Sequence, residues 1–242
     1  MQTQEALAQS FIDGKVLLLD KPLGWTSFDV VNKIKSLLKY RLGIKKIKIG
    51  HAGTLDPLAT GLLIICTGKS TREVNTFQQL SKTYTGCFVL GESTPSFDLE
   101  TRPDTTYPTE HITTELIKEA AGTFLGAQDQ VPPLFSAKKI AGKRAYTHAR
   151  KGLNTELKAN RIHIHDFEIT GVRMPEVDFR VRCSKGTYIR SLASDFGKRL
   201  GSGAYLKTLR RTAIGDHDVT SALSPEALEH LILHGGQLTE EA

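Results

Sequence analysis

The sequence predicts an α+β fold built on one large sheet. Strand-like and helix-like stretches are mixed along the chain, without the regular strand–helix–strand alternation of a parallel sheet. Over 242 residues, 39% apolar and 24% charged side chains match a globular protein with a real core. At this length one large domain or two small ones are expected.

Each element has its own signal. Residues 1–14 form a polar leader without the basic and apolar regions of a signal peptide. Val16, Leu17, Leu18 and Leu19 read as a buried strand, stopped by Pro22 and Gly24. Ser27 then caps a helix that gathers Val30, Val31, Ile34, Leu37 and Leu38 on one face. A Gly-rich loop, residues 50–61, leads into a strand at 62–67, and another strand covers 82–90. Ser, Thr, Pro and Asp fill residues 91–111, which read as an exposed loop before a short helix at 113–121. Residues 128–158 are basic, carry Pro132 and Pro133 ahead of a helix-like part around Tyr146, and read as a mobile insertion. Strands follow at 161–169 and 177–183. In the second, Val177, Phe179, Val181 and Cys183 alternate inward. A helix lies near 189–200, and Ser224 before Pro225 opens a last one, a cap followed by proline at the first helical position. The domain plan is a leader (1–14), a main domain (15–215) and a short helical tail (216–242).

Several function classes drop out. Cys66, Cys87 and Cys183 are far apart and form no CxxC pair, so they read as three buried thiols in a reducing cytoplasm. Neither a structural zinc site nor any other metal is expected. The longest apolar run, Leu62 to Cys66, is too short to cross a bilayer. A net charge of +6 favours polyanionic partners. The charge is also localised: Lys33, Lys35, Lys39, Arg41, Lys45, Lys46 and Lys48 meet no acidic residue between Val30 and Leu55. Further basic runs span residues 138–151 and 207–211, and such runs supply phosphate contacts.

The stretch GHAGTLDPLATGLL, residues 50–63, has two readings. Asp56 before Pro57 has the form of a helix N-cap followed by proline, with glycines as turn punctuation. It is equally a carboxylate in a Gly-hinged loop beside His51 and just after the lysine-rich segment. Cations there keep Asp56 ionised, as a nucleophile or general base requires. The loop alone does not choose.

This stretch resembles the signature loop of the TruB family of pseudouridine synthases almost residue for residue. LLLDKPLGWTSFDVVNKIK resembles the family's first motif, KTYTGCFVLGESTPSFD its tyrosine segment and CSKGTYIRSLASDFGKRLG its arginine segment. VPPLFSAKKIAGKRAYTHARKG resembles the RNA-gripping insertion, and YLKTLRRTAIG the late leucine motif. The resemblance implies the pseudouridine synthase fold, a large mixed and mostly antiparallel sheet flanked by helices. It implies isomerisation of uridine 55 of tRNA, with no cofactor or metal. The family's catalytic aspartate falls on Asp56. Tyr84, otherwise an aromatic on the inner face of a strand, matches the residue that packs on the target base. Tyr188 and Arg190 fall on the YIR motif. Arg190 is expected to pair with the aspartate, since a desolvated carboxylate needs a fixed counter-charge. Tyr188 either assists proton loss from C5 or packs the pocket. Leu209 matches a leucine of the pocket wall and His51 a histidine that engages the RNA loop. Arg72 stands where relatives commonly have lysine and is a phosphate-contact candidate. Lys21 of the first motif is a further substrate-binding candidate.

Two rival readings remain. A non-enzymatic RNA-binding or RNA-folding protein could keep this scaffold, although loss of Asp56 or Arg190 would favour it and both are present. The guide-RNA-dependent relative of archaea and eukaryotes needs long terminal extensions and a C-terminal PUA domain, which the tail leaves no room for. The expectation is a cytoplasmic monomer acting on the T-arm stem-loop of tRNA without a guide RNA or membrane.

Overall fold

The computed structural model describes residues 4–134, 139–140, 143–144 and 158–234. Tyr146, most of the basic run at 138–151 and the end of the tail lie outside these residues. Seven strands follow one another in the main sheet: Val16–Lys21, Ala59–Thr67, Ala204–Ile214, Lys82–Leu90, Glu176–Cys183, Asn160–Arg173 and Gly126–Gln130. By contacts the chain divides into two compact units, Met1–Tyr84 with Arg210–Ala242, and Thr85–Leu209.

In the first unit, Val16–Lys21 pairs antiparallel with Ala59–Thr67, from Val16 opposite Cys66 to Lys21 opposite Gly61. Both strands are apolar without alternation because both faces are covered. Leu17, Leu19, Leu63 and Ile65 pack with Val30, Val31, Ile34, Leu37 and Leu38 of the helix Ser27–Leu42. Leu18, Leu62, Ile64 and Cys66 pack with Ile214, and Val74, Phe77 and Leu80 pack against them. The leader is not a polar extension. It forms a helix, Gln4–Asp13, whose Leu7 and Phe11 lie one turn apart and are buried in the same core. The helix Pro225–His234 does likewise with Leu228 and Ile232, and its Glu229 takes Lys33 into an ion pair at 2.6 Å. One lysine of the basic stripe is thereby neutralised.

The cap of Ser27–Leu42 also differs from expectation. Thr26 is the N-cap, and Asp29 completes a capping box with it. Only Thr26 stands three residues before an acidic side chain, so the box selects it over Ser27. The hydroxyl of Ser27 is therefore available to bind elsewhere.

The second unit is centred on Phe88, Phe124, Phe167, Phe179 and Phe196, with the Phe88 and Phe179 rings stacked at 4.1 Å between centroids. Val177, Phe179, Val181 and Cys183 point inward as the alternation requires. Two expectations fail here. Residues 91–111 are not a plain exposed loop: Glu92–Ser93 pairs with Thr105–Thr106, and Thr94, Ser96 and Asp98 are buried. Residues 128–130 belong to the strand Gly126–Gln130, paired with Asn160–Ile164, so no insertion starts at Gln128.

Candidate active site

Asp56 is half-buried in a tight turn in which the Ala59 amide donates to the Asp56 carbonyl at 3.0 Å. Pro57 fits the second position of such a turn, and the strand Ala59–Thr67 follows at once. The N-cap reading of Asp56 is thus overturned, because no helix follows. Two neighbours hold the turn. The Ser27 hydroxyl accepts from the Leu55 amide at 2.8 Å and donates to the Leu55 carbonyl at 3.2 Å. The Gly24 amide donates to the Pro57 carbonyl at 2.9 Å, tying the loop to the segment after the first strand. The main chain on both sides of the carboxylate is therefore fixed by residues distant in sequence.

Lys21 has no exposed surface. Its ammonium donates to the carbonyls of Trp25 at 2.6 Å and Pro22 at 2.9 Å. As placed, it supports the turn at residues 22–25 and does not present itself to a ligand. Burial pushes its pKa down to about 8, partly offset by the negative charge of Asp56. His51, on the short strand Ile49–His51, is also depressed by burial, with a backbone hydrogen bond at Gly53 opposing and the Arg211 charge adding to the shift. Its ring is neutral at pH 7. Tyr84 is buried on Lys82–Leu90, and Arg72 is exposed on the 3-10 turn Gly68–Glu73.

The basic run at 207–211 does not behave as a set of phosphate contacts. Arg211 is 1% exposed and binds main-chain carbonyls. Arg210 grips Asp20 with two nitrogens at 2.6 and 3.0 Å, and Lys207 pairs with Glu176 at 2.5 Å. A cation already engaged by a carboxylate has little left for phosphate.

In the second unit, Arg190 is buried at the start of the helix Ile189–Arg199. Its Nε lies 3.6 Å from an Asp98 carboxylate oxygen, and Nη1 donates to the Ser96 carbonyl at 3.4 Å. The other Asp98 oxygen accepts from the Glu100 amide at 3.0 Å. Asp98 ends the tyrosine segment but has no role in the sequence reading, because its charged partner lies far along the chain. Gln130 was missed for the same reason. Its carboxamide accepts from the Tyr188 amide at 2.8 Å and donates to the Tyr188 carbonyl at 3.1 Å, acting as a strand rung. With Ser191 donating to the Val131 carbonyl at 2.7 Å, it fixes the entry of the helix that bears Arg190. Tyr188 and Leu209 are half-buried. The structure thus groups Asp56, His51, Lys21 and Tyr84 in one unit, and Arg190, Tyr188 and Leu209 in the other. Among the described residues, no three His, Cys, Asp or Glu side chains are arranged to hold a metal ion.

A family model described as TruB family pseudouridylate synthase (N terminal domain) matches residues 39–189. A tRNA pseudouridine synthase B of Flavobacterium johnsoniae is 58% identical over 216 residues, covering 89% of this chain and 94% of the relative. A protein of the same name from Phocaeicola vulgatus is 56% identical over 218 residues, with coverage of 90% and 93%. Among solved structures, one chain of a Cbf5-Nop10-Gar1 complex superposes with a TM-score of 0.70 at 27% identity. That match covers 96% of this chain and 59% of the other. With the signature loop, the YIR motif and this fold in one chain, the protein belongs to the TruB family of pseudouridylate synthases.

Proposed function

We infer that this protein is a tRNA pseudouridine synthase that isomerises uridine 55 of the T loop, acting as a monomer on the T-arm without a guide RNA. The observation that carries this most directly is the Asp56 turn: a half-buried carboxylate whose main chain is pinned on both sides and whose charge is felt by a buried lysine. Such a group is partly desolvated and rigidly held, as a carboxylate that attacks or stabilises must be. Full names of relatives at 56–58% identity support the tRNA substrate. No described helix is long and apolar enough to cross a membrane.

The reaction breaks the C1′–N1 bond of uridine, rotates the base, joins C1′ to C5 and moves the C5 proton away. The target nucleotide must leave its stack, at a cost of a few kcal/mol. Tyr84 supplies a stacking surface, at roughly 1–3 kcal/mol per base, and Leu209 an apolar wall. The neutral ring of His51 fills or props the space the base vacates. Asp56 acts at C1′ of the ribose or at C6 of the base, and Arg190 serves as its counter-charge. Tyr188 assists loss of the C5 proton or packs the pocket. Arg72 contacts a phosphate. Lys21 acts through the turn it supports.

Release of tritium from C5-labelled uridine tests the inference, with the purified protein and a T-arm stem-loop as the only macromolecules. Stoichiometric release is expected, because only replacement of the C5–H bond frees that atom. No release would leave an RNA-binding protein on a synthase scaffold.

Tyr84 separates stacking from hydroxyl chemistry. Tyr84→Phe should bind the stem-loop as the parent does and turn over slowly, whereas Tyr84→Leu should lose at least about fivefold in kcat/KM, the lower end of one base stack. Full activity of the leucine variant removes Tyr84 from the site.

A pH dependence follows from Lys21. As pH rises through about 8 the buried ammonium loses its proton, and Asp56 loses a neighbouring positive charge. The expected kcat/KM profile falls on the alkaline side with a midpoint near that value. In Lys21→Met that limb should disappear, with a lower plateau throughout. A parent profile flat to pH 10 contradicts this.

A further inference from the structure

Arg211 has no catalytic assignment, and its burial rules out the phosphate contact its sequence neighbourhood suggests. Among the described residues it is the largest of the fully buried side chains. Its Nε donates to the Leu62 carbonyl at 2.7 Å and its Nη2 to the Gly53 carbonyl at 3.1 Å. Leu62 and Gly53 flank the turn of Asp56 on its two sides. The main chain of Arg211 meets the same loop once more. A Cβ on Gly61 would overlap the Arg211 carbonyl oxygen, so the two backbones touch there, and Gly61 has φ of 104°. A Cβ added at Gly53, at φ of 106°, would lie at ordinary van der Waals distance from the guanidinium, 3.5 Å from Nη1. One residue therefore closes the loop from both ends, by side chain at Gly53 and by main chain at Gly61.

We propose that Arg211 is a positioning residue for Asp56, its buried guanidinium bracing both ends of the loop that carries the carboxylate. The proposal rests on the assignment of Asp56 as the reacting group. A planar fork suits the task, because one rigid group reaches two carbonyls that a single ammonium cannot reach together. After burial, the Arg211 charge also helps to depress the pKa of both Lys21 and His51. Arg210 strengthens the frame beside it by joining Asp20 of the first strand and Thr60 of the next.

The test uses Arg211→Lys, which keeps the charge and loses the fork, and Arg211→Gln, which keeps a donor and loses the charge. For both, kcat on a T-arm stem-loop should fall about tenfold or more, the usual loss for a charge-assisted hydrogen bond. The Kd for that RNA should stay within about threefold of the parent. Unchanged kcat overturns the proposal. So does a raised Kd with kcat retained, which would restore the phosphate role. The parent protein gives a second measurement that does not depend on folding of the variants. With arginine labelled by nitrogen-15, the Arg211 Nε proton should exchange slowly with solvent, with and without the stem-loop. Fast exchange in either state overturns the bracing role. Tritium release by the parent on the same RNA separates the two claims: its absence sinks the functional assignment, while the exchange result still decides whether Arg211 braces the loop.

Discussion

Asp56→Asn is expected to fold, to bind tRNA as the parent does, and to make no detectable pseudouridine. Asparagine keeps the size and the hydrogen-bonding reach of the side chain. The turn itself is held by main-chain contacts from Ser27 and Gly24 and by Pro57, none of which the substitution touches. Stability should therefore change by no more than about 1 kcal/mol. What disappears is the negative charge, and with it both roles open to the carboxylate, attack at C1′ and attack at C6. The measurement is pseudouridine per tRNA after prolonged incubation, alongside Kd by filter binding. Appreciable turnover by the asparagine variant removes Asp56 from the chemistry. Lost binding with intact folding would make it a contact residue.

Arg190→Lys is the second large effect. The guanidinium is buried and engages an acidic side chain at Asp98 and a carbonyl at Ser96 together. Lysine retains the charge but has no fork, so it can satisfy one of these acceptors well and not both. A lost charge-assisted hydrogen bond is worth roughly 1.5–3 kcal/mol. At 1.4 kcal/mol per factor of ten, kcat should fall by about tenfold to a hundredfold. RNA affinity should stay within about threefold, because the residue is buried and has no surface to offer phosphate. Asp98→Asn should lower kcat in the same direction, since Asp98 is a charged partner that holds Arg190. Activity of Arg190→Lys within threefold of the parent would make the arginine a structural residue only.

Much of the fold was legible where local chemistry and tertiary position agree. The unbroken apolar runs at 16–19 and 62–66 marked strands buried on both faces, and the period of Val30, Ile34 and Leu37 marked a helix face. The strand Ala204–Ile214 was legible only as a motif. Lys207, Arg210 and Arg211 interrupt its pattern, and their satisfaction by Glu176, Asp20 and the loop carbonyls depends on residues far away in sequence. The leader helix was hidden because Leu7 and Phe11 are its only deeply buried anchors in a polar segment. At the site, Asp56 stood out through its motif. Its supports did not: Ser27 looked like a cap, Arg211 like a surface cation, and Asp98 and Gln130 like loop residues. A side chain that braces another from across the fold leaves no periodic trace in its own neighbourhood.

Position mapping in an unmodified tRNA transcript tests the central claim most directly, with the purified chain as the only protein and no added RNA. One pseudouridine is expected, at uridine 55 of the T loop, and a transcript with cytidine at that position should give none. No pseudouridine in the parent transcript, or its appearance at another uridine, would contradict the assignment of this chain as the tRNA-specific member of its family.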